Sequence, residues 1–337
     1  MEILIIGGTG LISTEITNVF AASDHSVTLY NRGRTERAVP SEVAVMRGDR
    51  TDYDQFESDM TGLDVEYVID MYCMQRTDAE SVVRAFSGNI EQYIFCSTVD
   101  VYAFPLSELP VPEDAVRRES GTGYAAEKAG CERILEEAAA DGAFALTSLR
   151  PWYTYGEGRD ILSAIDGIDV IARLLSGSPI IVHDSGETLW GACHRDDVAH
   201  AFVEAVGNET AYNESYNVCG EEWLTWNRYF REAAAGLDAP EPDLRYIPTP
   251  VLRAVFPERT RNLERTFQYA QCYDTNKARE DLDFEQTIAW ADGIRRVATW
   301  LEEQDELAEA PSDAEYDRLV DAWTPIEREL PSRLLDS

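Results

Sequence analysis

Glu2-Ile3-Leu4-Ile5-Ile6-Gly7-Gly8-Thr9-Gly10-Leu11-Ile12-Ser13 opens with an apolar run of strand length, passes through a glycine-rich turn and enters an amphipathic stretch. That order reads as strand, sharp turn and helix. Glycines let the backbone turn tightly and approach a pyrophosphate, which then rests on the positive N-terminus of the helix. An ordinary strand-to-helix turn can also carry a glycine triplet. Its place at residue 7, between strand and helix, points to a dinucleotide. Ser13 stands where a third glycine or alanine is usual, and its side chain is still small.

Working outward, apolar runs of strand length recur at 26–30, 43–46, 67–70, 93–96 and 145–149, with helical patterns at 11–22, 55–60, 79–86 and 123–140. Strands alternating with helices imply right-handed crossovers and a parallel sheet covered on both faces. The expected fold is therefore a doubly wound α/β sheet of Rossmann type. A dinucleotide-binding domain is expected over 1–157 and a smaller substrate-binding region over 158–304, some of whose segments return to the first sheet. An acidic C-terminal extension follows over 305–337, with a helix near 316–323.

Asp and Glu number 63 against 29 Lys and Arg, a formal charge of −34, and only two of the basic residues are lysines, Lys128 and Lys277. At about 1 M salt the Debye length falls to about 3 Å and the self-repulsion of such a surface is largely screened, which fits a saline cytoplasm and a halophilic source. Nucleic acids and anionic membranes need basic patches, so neither is expected as a partner. The cluster Arg253, Arg259, Arg261 and Arg265 is interleaved with Glu258 and Glu264; a phosphorylated small molecule would suit it better. No apolar span reaches membrane length and the first residues read as a strand, so a soluble, cytoplasmic protein is expected. Six cysteines without paired spacing read as mostly buried thiols, and four scattered histidines give no metal site.

Tyr124-Ala125-Ala126-Glu127-Lys128 sets a phenol and an ammonium one helical turn apart on one face. A cation there favours the phenolate and would bring the phenol towards use as a base near neutrality. At the end of the second strand, Tyr30-Asn31-Arg32-Gly33-Arg34 offers guanidinium groups where a ribose-binding carboxylate is usual. Arginines match a 2′-phosphate, which favours NADP over NAD; solvated loop residues are the alternative.

The ordered set from Gly7 to Ser13, Gly48-Asp49, Ser97-Thr98-Val99-Asp100-Val101-Tyr102, Tyr124 to Lys128, Arg150-Pro151 to Tyr155-Gly156, His194-Arg195-Asp196-Asp197-Val198-Ala199, Tyr216-Asn217-Val218 and Asp274-Thr275-Asn276-Lys277-Ala278 resembles the extended short-chain dehydrogenase/reductases, the NAD-dependent epimerase/dehydratase proteins. The resemblance implies that Tyr124 is the catalytic acid/base, that Lys128 holds the nicotinamide ribose and tunes the phenol, and that Thr98 hydrogen-bonds the reacting oxygen. For Thr98, a strand-end hydroxyl capping a loop is the other reading. Gly7, Gly8 and Gly10 would line the pyrophosphate with Leu11 and Ile12, Asn31 and Arg32 the ribose end, and Asp49 and Arg50 the adenine.

The implied chemistry is hydride transfer at a hydroxyl-bearing carbon of a small molecule, possibly a nucleotide sugar, as an epimerase or an oxidoreductase. A one-way NADP-dependent ketone reductase is a second possibility, and a non-catalytic dinucleotide- or RNA-binding relative a third. Thr98-Val99-Asp100 lacks the glutamate of sugar-nucleotide dehydratases, which disfavours dehydration; Asp100 is either a shortened base or a surface acid. Tyr153 stands where many sugar-nucleotide enzymes carry an asparagine, and Asp70-Met71-Tyr72-Cys73 replaces the small residues common beside the adenine. Tyr153, Arg159 and Trp190 are candidate substrate contacts alongside Thr98 and Asp100. A homodimer through the Tyr124 helix and the helix before it is expected by resemblance.

Overall fold

The computed structural model describes residues 1–34, 38–307 and 313–335, with side chains up to residue 329. Six strands follow in sequence: β1 (Glu2–Ile6), β2 (Ser26–Asn31), β3 (Ala44–Arg47), β4 (Tyr67–Asp70), β5 (Gln92–Cys96) and β6 (Ala145–Pro151). The helices among them are α1 (Ser13–Ala21), α2 (Tyr53–Met60), α3 (Arg76–Phe86) and α4 (Tyr124–Ala140). Every expected strand and helix of the first 150 residues is present, within a few residues of its anticipated ends. The strands pair in parallel in the order β3-β2-β1-β4-β5-β6, and a seventh strand, Glu214–Val218, pairs with β6.

The near-continuous apolar character of β1 follows from its central place. Ile3 and Ile5 point to one face, where Ile16 and Phe20 of α1 pack with Val198 and Phe202 of the helix Arg195–Ala205. Leu4 and Ile6 point to the other, against Phe56 of α2, Val82 of α3 and Leu135 of α4. A strand buried on both faces cannot alternate apolar with polar residues. The strand order reverses between β1 and β4, so the carboxyl ends of these two strands flank the crevice where such sheets bind ligands.

The chain forms two compact units: residues 1–154, 192–221 and 273–287 make the first, and residues 155–191, 222–272 and 288–337 the second. The second unit holds a parallel pair, Ile180–His183 with Leu244–Ile247, and the helices Trp226–Gly236 and Trp290–Glu303. Residues after 305, expected as an appended extension, are built into this unit where they are described; 308–312 lie outside the described residues. The helix Ala314–Leu335 buries Tyr316 and fixes Trp323 Nε1 on the Tyr246 carbonyl at 2.9 Å. Among the described residues no helix is long and apolar enough to cross a membrane.

Candidate active site

The glycine turn is braced from within. Gly7, at φ +83°, donates its amide to the Tyr30 carbonyl at 3.0 Å, a conformation glycine adopts without strain. Ser13 Oγ donates to the Gly7 carbonyl at 2.7 Å and accepts from the Gly10 amide at 2.8 Å, so the serine in the third-glycine position ties the two ends of the turn together. At Gly8 a Cβ would lie 2.5 Å from Leu29 Cδ2. Ile12 precedes α1 and no side chain caps that helix. The Thr14, Glu15 and Ile16 amides are taken by the carbonyls of Gly10 and Ile12, so what the helix offers an anion is the positive end of its dipole, beside the turn at Leu11 and Ile12.

A cavity of about 200 Å³ adjoins this turn, lined by Gly7, Thr9 and Gly10, by Asn31, Arg32, Gly33 and Arg34, and by Tyr30, Gly48, Arg50 and Tyr72. Arg32 lies over the Tyr72 ring at 5.5 Å. Gly48 is required by Tyr30, whose hydroxyl would sit 1.9 Å from a Cβ there and is held by Asp59 at 3.0 Å. Asp49 accepts from the amide and hydroxyl of Thr51, at 3.1 and 2.8 Å; these bonds, helped by Arg32 and Arg34, hold its carboxyl below its ordinary value. Arg50 lines the cavity but turns its guanidinium inward, 4.3 Å over Phe56, 3.5 Å from Asp70 and bonded to the Asp78 carbonyl at 2.7 Å. Sequence reasoning passed over Thr9 and Tyr30 as lining residues. Alternation along β2, which turns Tyr30 towards the β3 loop, was the available signal.

Thr98, Tyr124 and Lys128 come together at the ends of β5 and α4. Lys128 is 1 % exposed; its Nζ donates to the carbonyls of Cys73 and Cys96 at 2.8 and 2.7 Å and stands 6.0 Å from the Tyr124 ring centroid. An ammonium has three protons, so two carbonyls leave one donor for a ligand. Burial works against this charge, yet the Tyr124 phenol and the thiols of Cys96, Cys73 and Cys131 outweigh it and the ammonium is held above its ordinary value. Thr98 lies near enough to the Tyr124 phenol to lower it, and its hydroxyl accepts from the Asp100 amide at 3.2 Å, capping the short 3-10 turn Val99–Val101. The structure thus shows this hydroxyl capping the loop.

One expectation is corrected. Tyr124 is 46 % exposed, but its phenol is raised above the ordinary value instead of being brought towards neutrality. Desolvation is the largest cause and Cys96 and Asp100 add to it; Lys128 and the nearby Thr98 pull the other way without winning. The ammonium acts in the anticipated direction, and the surroundings override it.

Behind these residues lies a buried charged scaffold. Glu132, one turn beyond Lys128, is 0 % exposed and takes both oxygens to Arg150, at 2.8 and 2.9 Å, with Ser97 and Arg117 each at 2.6 Å. Arg150 also donates to the Tyr102 hydroxyl at 3.0 Å, and that hydroxyl donates to Asn217 at 2.6 Å. The scaffold fixes β5, α4, β6 and the strand Glu214–Val218 to one another. The second lysine, Lys277, donates to the Ser215 carbonyl at 3.0 Å on that same strand and pairs with Glu214.

The remaining candidates are divided between the two units. Asp100 is near enough to Tyr124 to act on its phenol. Tyr153 is buried in the first unit, its carbonyl accepting the Cys193 amide at 3.0 Å. Arg159, exposed, belongs to the second unit. So does Trp190, which is 2 % exposed, stacked on Trp226 at 4.9 Å and edge-on to Phe267 at 4.8 Å, a core placement. The anticipated basic cluster is largely neutralised: Arg253 pairs with Glu264, Arg259 with Asp313 and Arg261 with Glu258.

A glycine turn on an uncapped helix at the reversal of a parallel sheet, with a Thr–Tyr–Lys set at the neighbouring strand end, defines a dinucleotide-dependent enzyme of the short-chain dehydrogenase type. The turn, the cavity and the remaining donor of Lys128 fit NAD or NADP. The chain belongs to the NAD dependent epimerase/dehydratase family, whose model matches residues 3–219. It is 30 % identical over 257 residues to the chloroplast stem-loop binding protein of 41 kDa b of Arabidopsis thaliana, a match spanning 72 % of this chain and 65 %, just under two thirds, of that protein. To the 2′-dehydrokanamycin reductase of Streptomyces kanamyceticus it is 24 % identical over 339 residues, 99 % of this chain and 91 % of the relative. Its fold is similar to that of UDP-glucose 4-epimerase from Bifidobacterium longum, solved with NAD+ and UDP, with a TM-score of 0.72 at 17 % identity, covering 91 % of this chain and 100 % of the other.

Proposed function

We propose that this enzyme moves hydride at a hydroxyl-bearing carbon of a nucleotide-linked sugar, as an epimerase or oxidoreductase, with Tyr124 as its acid/base. The observation that carries the reading is the fixed ammonium of Lys128, buried on two carbonyls with the Tyr124 ring beside it and Thr98 near the same phenol. The bound nicotinamide supplies the hydride donor or acceptor. Tyr124 gives or takes the proton of the substrate oxygen, Thr98 holds that oxygen, and Lys128 orients the ribose with its remaining N–H while favouring the phenolate. Arg32 and Arg34, on the cavity wall, support NADP over NAD.

A second reading, one-way reduction of a ketone by NADPH, is supported by Arg32 and Arg34 on the cavity wall, whose guanidinium groups match a 2′-phosphate. The reductase relative supports it as well. RNA binding, suggested by the name of the chloroplast relative, is opposed by a net charge of −34 and by the internal pairing of the arginine cluster. The protein is proposed to be cytoplasmic and homodimeric.

Native mass spectrometry of protein purified in high salt, read for dinucleotide and sugar nucleotide, separates the substrate classes. NADPH turnover with a panel of ketones tests the reductase. Tyr124→Phe should lower turnover by about 10²–10⁴-fold and leave NADPH affinity nearly unchanged. Wild-type turnover in that variant would remove the proposed acid/base.

A further inference from the structure

We propose that Arg76 is the positioning residue for Tyr124 and Lys128, a clamp from α3 on the first turn of α4; the assignment rests on the acid/base reading of Tyr124. The need for a clamp is local. Tyr124 is the first residue of α4, and the residue before it, Gly123, sits at φ 87° with no side chain to cap the helix. Gly121 is also at positive φ. An uncapped helix entered through two glycines frays at its first turn, and that turn carries the candidate acid/base.

Arg76 grips the turn at three points. Its amide donates to Glu127 Oε2 at 3.1 Å, its Nη1 to Glu127 Oε1 at 2.9 Å, and its Nη2 to the Ala126 carbonyl at 3.1 Å. Glu127 and Ala126 lie between Tyr124 and Lys128. A helical carbonyl already accepts from the amide four residues on, so a second donor reaches it only where the helix surface is bare. Gly130 supplies the bare surface: a Cβ there would lie 2.2 Å from Arg76 Nε and 2.7 Å from Cγ. The loop before Arg76 contains Tyr72, on the cavity wall, and Cys73, whose carbonyl accepts Lys128 Nζ. One segment therefore lines the cavity, receives the ammonium and holds the acid/base turn. A lysine could not replace the arginine fully, because one ammonium lacks the planar fork that spans a carboxylate and a carbonyl.

The Arg76–Glu127 pair is partly exposed, 38 % and 28 % for the two side chains, and such pairs contribute little to stability. A structural brace and a positioning residue can therefore be separated. Arg76→Ala, Arg76→Lys, Glu127→Gln and Gly130→Ala are compared in the full chain with wild type and Tyr124→Phe. The Tyr124 ionisation is read as near-UV tyrosinate absorbance relative to Tyr124→Phe. NADPH affinity is read by fluorescence, and turnover with the ketone or sugar nucleotide found active.

Arg76→Ala and Gly130→Ala should both displace the Tyr124 titration by about half a pH unit or more, roughly a threefold change in equilibrium. Turnover should fall about tenfold or more, as for a misplaced reacting group, with Arg76→Lys and Glu127→Gln intermediate. Lower melting temperatures with wild-type titration and wild-type turnover per folded molecule would overturn the clamp. If Arg76→Ala does not fold, Arg76→Lys and Glu127→Gln decide it by the same two readouts. Tyr124→Phe at wild-type turnover would overturn the acid/base reading and the clamp with it; an inactive Tyr124→Phe beside unaffected Arg76 variants overturns the clamp alone.

Discussion

Glu132→Gln removes one charge and almost no volume from a carboxylate that is fully buried and accepts from Ser97, Arg117 and, twice, Arg150. The amide keeps one acceptor oxygen and turns an NH2 group towards guanidinium donors. Arg150, its side chain 2 % exposed, then keeps its charge without a counter-ion. Breaking one side of a buried, hydrogen-bonded pair costs about 3–5 kcal/mol. Against a total stability of about 5–15 kcal/mol that is a large fraction.

Urea unfolding at fixed salt should show a lower midpoint with unchanged slope, since the surface exposed on unfolding is the same. The acid side gives a second check. Burial raises the Glu132 carboxyl, but Arg150, Ser97 and Arg117 more than reverse this and its folded value is lowered. A lowered carboxylate contributes stability above its unfolded value, about 4.3, and loses it as pH falls through the folded value. The gap between wild type and Glu132→Gln should therefore be full at neutral pH and close in acid. A loss below about 1 kcal/mol, the range of an exposed pair, would mean that Arg150 has found another partner and would refute the reasoning.

Lys128→Met should raise the Tyr124 titration further, because the ammonium is one of the two groups lowering it; an unchanged or lower midpoint in tyrosinate absorbance contradicts the pairing. Arg32→Ser with Arg34→Ser should weaken NADPH by about tenfold more than NADH, the scale of a charge-assisted hydrogen bond, and an unchanged NADPH-to-NADH ratio would return both arginines to solvent. With a net charge of −34, melting temperature should rise between about 0.1 and 1 M KCl as the Debye length falls from about 10 to 3 Å; a fall over that range would count against a halophilic surface.

The doubly wound unit was legible because its strands are short apolar runs fixed between glycine turns and helical patterns, and β1 with Gly7 to Gly10 sufficed to orient the rest. The strand Glu214–Val218 was seen only as a motif, since Glu214 and Ser215 dilute its apolar character. At the site, helical spacing was enough to pair Tyr124 with Lys128. The direction in which the phenol is displaced was not readable, because it depends on desolvation and on Cys96 and Asp100, groups brought near by the strand end and the 3-10 turn. Arg50 shows the same limit: its position beside the cavity followed from the loop, whereas its inward turn depends on Asp70, Phe56 and the Asp78 carbonyl.

The chain passes between its two units at 154/155, 191/192, 221/222, 272/273 and 287/288. A single cut cannot release either one intact. A fragment ending near residue 157 would leave β6 with a bare rim where Glu214–Val218 belongs, inviting strand addition from another molecule, and would strip the helix Arg195–Ala205 from one face of the sheet. Exchanging the second unit with a relative's therefore calls for three grafted segments at once, and recombination by one crossover should yield insoluble hybrids.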